Sequence, residues 1–273
     1  MIKDITLGQF FPGKSLIHRL DPRMKIILVV VYVVLLFVVN SAVGYAAMAI
    51  FTFSVIAITK IPVKLYFRGL KPLLFIVAFT ALLNLFYSSG EPLVQFWIFK
   101  ITLNGIKTAI FMVVRILLLV LGTSILSYTT SPIVLTGGME RLLSPLAKIK
   151  VPVQEFSMMM TIALRFIPTL LEETDKIMNA QKARGADFES GGIVQRAKAL
   201  TPILIPLFVS AFRRADELAV AMECRGYTGE TNLKRTYLTQ YKFHYYDFIS
   251  LGVLVLLFVL TVFVFNKLSI YGF

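Results

Sequence analysis

Between Lys25 and Lys60 the chain runs for 34 residues, 26–59, without one formally charged side chain. A single helix of that length would extend about 51 Å, against a hydrocarbon layer of about 30 Å. The run is too long for one crossing and too apolar for a water-soluble core, so it predicts two membrane spans. Asn40, Ser41 and Gly44 gather turn-forming residues near its middle and predict a tight hairpin there. Each half is short for a span unless the stems of Arg23, Lys25 and Lys60 snorkel toward the interface. Further apolar runs occupy 72–90, 108–131 (interrupted by Arg115) and 248–266, the last flanked by Tyr245 and Tyr246 at one end and Tyr271 and Phe273 near the other. Aromatic residues in those places fit interfacial belts. Only 16% of the residues are charged, where a soluble domain carries about a quarter.

The expected fold is therefore all-α: a polytopic membrane helical bundle of about five spans, with long amphipathic helices on its cytoplasmic side. Four spans fall in 1–130, a coupling or interfacial region in 131–244, and a last span in 245–273. Segments 156–164 and 199–212 are apolar but too short to span, and Pro202 and Pro206 interrupt the second, so a sixth or seventh crossing between 131 and 247 stays open. Orientation follows the cations. Of 28 Lys and Arg, five lie in 1–25, four in 60–71 and fifteen in 131–247, three segments that five spans put on one side. Lys100, Lys107 and Lys267 fall on the other side, and Arg115 lies within a span. The positive-inside tendency makes the N-terminus cytoplasmic and the C-terminus external, and 60–71 a cytoplasmic loop. It also explains the net charge of +13 without nucleic acid as a partner. Roughly two dozen polar or mixed residues precede the first apolar run, which predicts a retained anchor rather than a cleaved leader. Cys224 is the only cysteine and His18 and His244 the only histidines, so neither an internal disulfide nor a metal site is expected.

Residues 8–15 (GQFFPGKS) satisfy the phosphate-cradling pattern G-x-x-x-x-G-K-S letter for letter. That loop needs a buried strand before it and a helix opening at the Lys-Ser pair. Only seven residues precede Gly8, Lys3 and Asp4 among them, and Asp21-Pro22 breaks any helix soon after. The segment is read as a turn-rich lead into the membrane.

The most informative feature is an internal repeat. Residues 171–185 (LEETDKIMNAQKARG) align without gaps on 212–226 (FRRADELAVAMECRG) at an offset of 41, matching Asp175 with Asp216, Ala180 with Ala221, Arg184 with Arg225 and Gly185 with Gly226. Apolar or small residues recur at 170, 174, 177 and 178 and again at 211, 215, 218 and 219, a helical spacing with one face to bury. Gly after the last turn accepts the left-handed conformation that caps a helix, which leaves each Arg at the tip, favoured by the helix dipole. A duplicated basic tip suits a partner with two equivalent acidic clefts, and a dimer of ATPases is such a partner. Glu172, Glu173, Asp216 and Glu217 are read as solvated or partner-facing charge on these helices.

At these residues the chain resembles the T component (EcfT) of energy-coupling factor transporters. The resemblance is carried by 18–25 (HRLDPRMK), which includes Asp21, Pro22, Arg23 and Lys25; by 164–168 (LRFIP), with Arg165 and Pro168; by 180–187 (AQKARGAD); and by 223–226 (ECRG). It implies a complex with two ABC-type ATPase subunits, which bind the ATP and Mg, and a small substrate-binding S component, often for a vitamin. It implies that Ala183-Arg184-Gly185 and Cys224-Arg225-Gly226 end two coupling helices docked in grooves of the ATPases. Cys224 departs from the usual Ala-Arg-Gly but keeps a small side chain. This chain itself would bind no cofactor or metal and catalyse nothing, and membrane lipid would be its solvent.

The apolar stripe Leu135, Met139, Leu142, Leu143 and Leu146, with Met158 and Met159, is the expected contact for the S component, methionine giving adaptable packing. Arg165 is expected to anchor an intersegment hydrogen-bond network, and Arg115 to snorkel or pair within the bundle. The rival readings are a self-sufficient secondary transporter or channel, and a membrane enzyme. The five apolar runs hold no Asp or Glu for proton coupling, and no cluster of catalytic groups is visible. The topology has a direct check: a periplasm-active reporter fused after Phe273 should be active, and the same reporter fused after Gly185 silent. The reverse pattern contradicts the orientation.

Overall fold

The computed structural model describes residues 10–87, 92–96, 99–186, 188, 192, 194, 198–229, 241–261 and 263. Contacts divide the chain into two units, one of 8–141 with 239–273 and one of 142–238 together with the first seven residues.

In the first unit a single helical turn, α1 (Leu16–Arg19), precedes α2 (Pro22–Val38) and α3 (Ala42–Thr59). Asp21 caps α2, its carboxylate accepting from the Arg23 amide, and Pro22 takes the first turn, where a missing N–H costs nothing. Ser41 caps α3 through the Gly44 amide, so the hairpin falls where turn residues gather. α4 (Val63–Leu70) leads through a 3₁₀ turn at Lys71–Leu73 into α5 (Leu74–Tyr87). The expected loop at 60–71 is thus mostly helix. Lys60 ends α3 in the left-handed region (φ 57°), Pro62 restarts the helix, and Pro72 sits in the opening turn of the 3₁₀ segment. A short antiparallel hairpin, β1 (Pro92–Phe96) with β2 (Phe99–Thr102), joins α5 to α6 (Leu103–Thr129). α7 (Pro132–Leu143) follows, and the unit closes with α10 (Tyr245–Leu260).

Three stretches among the described residues are long and apolar enough to cross a membrane: Ala42–Thr59, Val63–Phe86 and Leu103–Thr129. Among the described residues α2 has 17 residues and α10 has 16, about 25 Å each, less than the length of a full crossing. Tyr271, Phe273 and Lys267 lie outside the described residues.

The core has two centres. Tyr32, Leu35, Leu36, Val39, Tyr45, Met48, Leu118 and Leu254 join α2, α3, α6 and α10. Ile56, Ile61, Tyr66, Leu70, Leu121 and Tyr128 join α3, α4 and α6. The Tyr32 hydroxyl bonds Thr52 Oγ1 (2.8 Å) and the Leu118 carbonyl (2.9 Å), and its ring fits only because position 122 is glycine: a Cβ there would lie 2.2 Å from the ring. Arg115 pairs rather than snorkels, its Nε donating to the Tyr45 hydroxyl (2.7 Å) and Nη2 to the Val39 carbonyl (3.3 Å).

The motif at 18–25 forms a polar knot at one end of this unit. Lys25 does not extend its span by snorkelling: it is buried, and its Nζ donates to the carbonyls of His18 (3.2 Å) and Thr129 (3.1 Å) and to Thr130 Oγ1 (3.1 Å). Asp247, fully buried, accepts from the Asp21 amide (2.9 Å) and the His244 amide (2.7 Å), fastening the start of α10 to the start of α2. Arg23 reaches the Tyr241 carbonyl (3.4 Å) and lies over the Phe243 ring. The P-loop look-alike serves the same end of the unit. Gly8 and Gln9 lie outside the described residues; Ser15 caps α1, the Phe11 amide donates to the Tyr128 carbonyl, and the His18 ring closes over Gly13. α7 packs against α2 at Gly138, where a Cβ would meet Pro22 at 2.9 Å.

Lys25→Met removes one charged donor and strands three buried oxygens, a loss of about 1–3 kcal/mol. It should lower the thermal unfolding midpoint of the detergent-purified chain clearly, while the exposed Lys64→Met should leave it unchanged. Equal midpoints for the two variants contradict the knot.

Candidate functional site

The second unit holds a 3₁₀ segment at Ser144–Ile149, α8 (Val153–Ala183) and α9 (Thr201–Cys224). The short apolar runs and the amphipathic repeats merge into these two long helices. Pro168 lies inside α8, and the two prolines expected to interrupt 199–212 do not: Pro202 sits in the first turn of α9 and Pro206 within it. The flanking turns retain their hydrogen bonds around each interior proline, which removes one bond and does not end the helix.

Both helices end in the same cap. Gly185 has φ +86° and Gly226 φ +78°. The Gly185 amide donates to the Lys182 carbonyl and the Ala186 amide to Gln181, each at 3.0 Å. At the equivalent positions Gly226 donates to Glu223 (2.8 Å) and Tyr227 to Met222 (3.0 Å). Paired bonds of this kind define the Schellman motif, which satisfies the last carbonyls of a helix. Arg184 and Arg225 are therefore the capping residues, with nearly equal backbone angles (−87°, 6° and −91°, 9°), and both side chains are exposed. Ala183 and Cys224 are exposed beside them. A cation at a helix C-terminus is favoured by the dipole, and nothing crowds either glycine within 4 Å. Each tip can thus present a guanidinium to an acidic groove. The tips differ in charge at one equivalent pair, exposed Lys182 in the first and exposed Glu223 in the second.

The two rods meet each other through equivalent residues. Arg214 Nη2 lies 3.0 Å from Glu173 Oε2, and positions 173 and 214 are 41 apart, the offset of the repeat. Positions 170, 173 and 177 of α8 are half-buried, as are 211, 214 and 218 of α9, but the cover is wider on α8: 174 and 178 are half-buried there, while their equivalents 215 and 219, expected on the buried face, are exposed. Glu173, read from sequence as solvated or partner-facing charge, is paired with Arg214 across the repeat.

Other expected positions fall as follows. Arg165 is exposed and makes no hydrogen bond among the described residues, so the network expected of it is not present there; its side chain leaves the covered face of α8. Leu135 and Leu142 on α7 are half-buried, with Met139 and Leu143 more exposed; α7 gives way to the 3₁₀ segment before Leu146, so the stripe ends sooner than its spacing predicts. On α8, Met158 is half-buried and Met159 exposed. Asp187, the last residue of the 180–187 motif, lies outside the described residues. Sequence reasoning missed Asp247 and the pairing of Glu173 with Arg214. The visible signals were a single acid opening the last apolar run and an inversion of charge between the two copies at 172–173 and 213–214. Among the described residues no group of three or more metal-ligating side chains is found.

Comparison with known proteins gives the chain a lineage. A family profile described as "CbiQ: Cobalt transport protein" matches residues 13–237. The energy-coupling factor transporter transmembrane protein EcfT of Clostridium kluyveri is 53% identical over 259 residues, covering 94% of this chain and 95% of its own. The EcfT of Ruminiclostridium cellulolyticum is 51% identical over 255 residues (93% and 95%), and that of Bacillus subtilis 50% over 230 (84% and 87%).

The caps predict a graded response. Gly185→Ala or Gly226→Ala forces a side chain into the left-handed region in open space, a strain of about 1–2 kcal/mol confined to the helix end. Asn at the same position, which tolerates that conformation, should cost less. Amide hydrogen exchange in the last turn of the affected rod should quicken in the order Gly, Asn, Ala. Equal exchange in all three contradicts the cap assignment.

Proposed function

The chain belongs to the cobalt transport protein family CbiQ, among the EcfT transmembrane proteins of energy-coupling factor transporters, and from that premise we propose that it couples two cytoplasmic ABC-type ATPases to a small substrate-binding S component. The observation that carries this reading is the duplicated, identically capped helix end with an exposed arginine at each copy, Arg184 and Arg225. Two equivalent cationic tips call for two equivalent acidic clefts, and a pair of ATPases on the inner membrane face supplies them. The N-terminus and both rods are then cytoplasmic, as the cation distribution requires.

In this mechanism the chain contributes force transmission and no chemistry. ATP and Mg are held by the partner subunits. When ATP closes the ATPases, the tips at Ala183-Arg184-Gly185 and Cys224-Arg225-Gly226 move with them, and the helices that carry them reshape the surface that holds the S component. The residues we assign to contact with the S component are Leu135, Met139, Leu142 and Leu143 on α7 and, separately, Met158 and Met159 on α8; the exposed Met139 and Met159 suit differently shaped partners. Choice of the transported compound, a vitamin or related micronutrient, rests with the S component.

Removing one partner of a docked charge pair costs about 2–5 kcal/mol. Arg184→Ala combined with Arg225→Ala should abolish ATP-driven uptake by the assembled transporter and weaken co-purification of the ATPases. Wild-type uptake by the double variant defeats the assignment.

A further inference from the structure

Where two copies of a repeat pack about a local twofold axis, a residue on that axis meets its own equivalent. Identical charges at that place repel. Across the 41-residue offset, α8 carries Glu172 and Glu173 where α9 carries Arg213 and Arg214; the sign also reverses at the exposed pairs Lys176/Glu217 and Lys182/Glu223, while Asp175 and Asp216 keep theirs. The reversal at 173 and 214 is the one that falls where the rods meet, because Glu173 Oε2 and Arg214 Nη2 are 3.0 Å apart. The flanking Glu172 and Arg213 are exposed, so the reversed sign is used for contact at one position in each pair. Along each rod the arginine tip follows eleven residues later, Arg184 after Glu173 and Arg225 after Arg214. At 1.5 Å per residue both tips stand about 16 Å from the contact.

Resting on the coupling reading above, we propose that the Glu173–Arg214 ion pair is the pivot that registers the two rods, giving them equal reach so that both tips engage their partners together. Glu173 and Arg214 are positioning residues acting through Arg184 and Arg225. Arg214 Nε supports this role: it is buried without an acceptor among the described residues, a state the side chain would leave by turning outward if Glu173 did not hold it. Partly exposed pairs add little to stability, so what this one supplies is register. A shift of either rod by one residue would turn one partner away from the contact. By this account the copies diverged in charge at 173 and 214 because the crossing demands opposite signs, and kept their caps because the tips do the same work.

The repeat provides its own probes. Exposed Cys224 is the equivalent of exposed Ala183, so Ala183→Cys with native Cys224 allows spin labels at matching points of both tips. Pulsed electron-electron distance measurements on the full chain in lipid nanodiscs should give one narrow distribution. Glu173→Arg, which sets two arginines against each other, should broaden or split it. The exchange Glu173→Arg with Arg214→Glu should restore it, while the thermal unfolding midpoint of the full chain stays the same in all three forms, as it would not if the pair merely supported the fold. In the assembled, unlabelled transporter with Ala183 intact, uptake should fall in the single variant and recover in the exchange. A distribution indifferent to Glu173→Arg, or an exchange no better than the single variant, overturns the pivot. The distance readout involves no ATPase, so its failure is distinct from failure of the coupling reading, which the Arg184/Arg225 double variant reports.

Discussion

A hydrocarbon layer offers no water to a buried charge, so each ionisable group that enters the membrane unit must find its partners inside the chain. Lys25 is where this constraint is met most tightly. Its ammonium takes three oxygens from the end of α1 and the end of α6, while Asp247 accepts the amides that open α2 and α10. Four helix ends are thereby tied through one short motif, Asp21-Pro22-Arg23-Met24-Lys25. Arg115 obeys the same rule elsewhere in α6, satisfied by Tyr45 and the free carbonyl of Val39 at the α2–α3 turn. With these charges hydrogen-bonded locally, the rest of the bundle is left to Tyr32, Tyr66 and Tyr128 and the aliphatic residues between them.

The second unit solves a different problem. α8 and α9 are exposed along much of their length and carry large apolar side chains, among them Phe156, Met159, Phe208 and Phe212, that are exposed among the described residues. Surfaces of this kind belong to assemblies. Their C-terminal halves are polar and end in matched caps. One rod thus combines an apolar stretch fit for a membrane or protein partner with a rigid cationic tip fit for an acidic one, the division of surface that force transmission between unlike partners requires.

Much of this was legible in the sequence, for reasons that can be named. An uncharged run of 34 residues admits few folds, and the break at Asn40–Ser41 and the caps at Gly185 and Gly226 follow from local backbone preference. What escaped was tertiary. The cations at 60–71 read as a loop, yet left-handed Lys60 and Pro62 simply restart a helix. Asp247 drew no reading because one of the two amides it accepts, that of Asp21, lies more than 200 residues away in the chain. Glu173 reads as solvated or partner-facing because its pairing with Arg214 depends on how two copies meet, and only the inverted charge between the copies hinted at it. Arg165 drew attention through its motif alone, and a motif does not say which way a side chain faces.

The central claim is that both arginine tips dock on nucleotide-hydrolysing subunits. The most direct measurement places a photo-crosslinking amino acid at position 183 or 224 and identifies the captured peptides by mass spectrometry from native membranes. The account predicts peptides from ABC-type ATPases at both positions. Capture of lipid alone, or of peptides from this chain's own apolar helices, would contradict it.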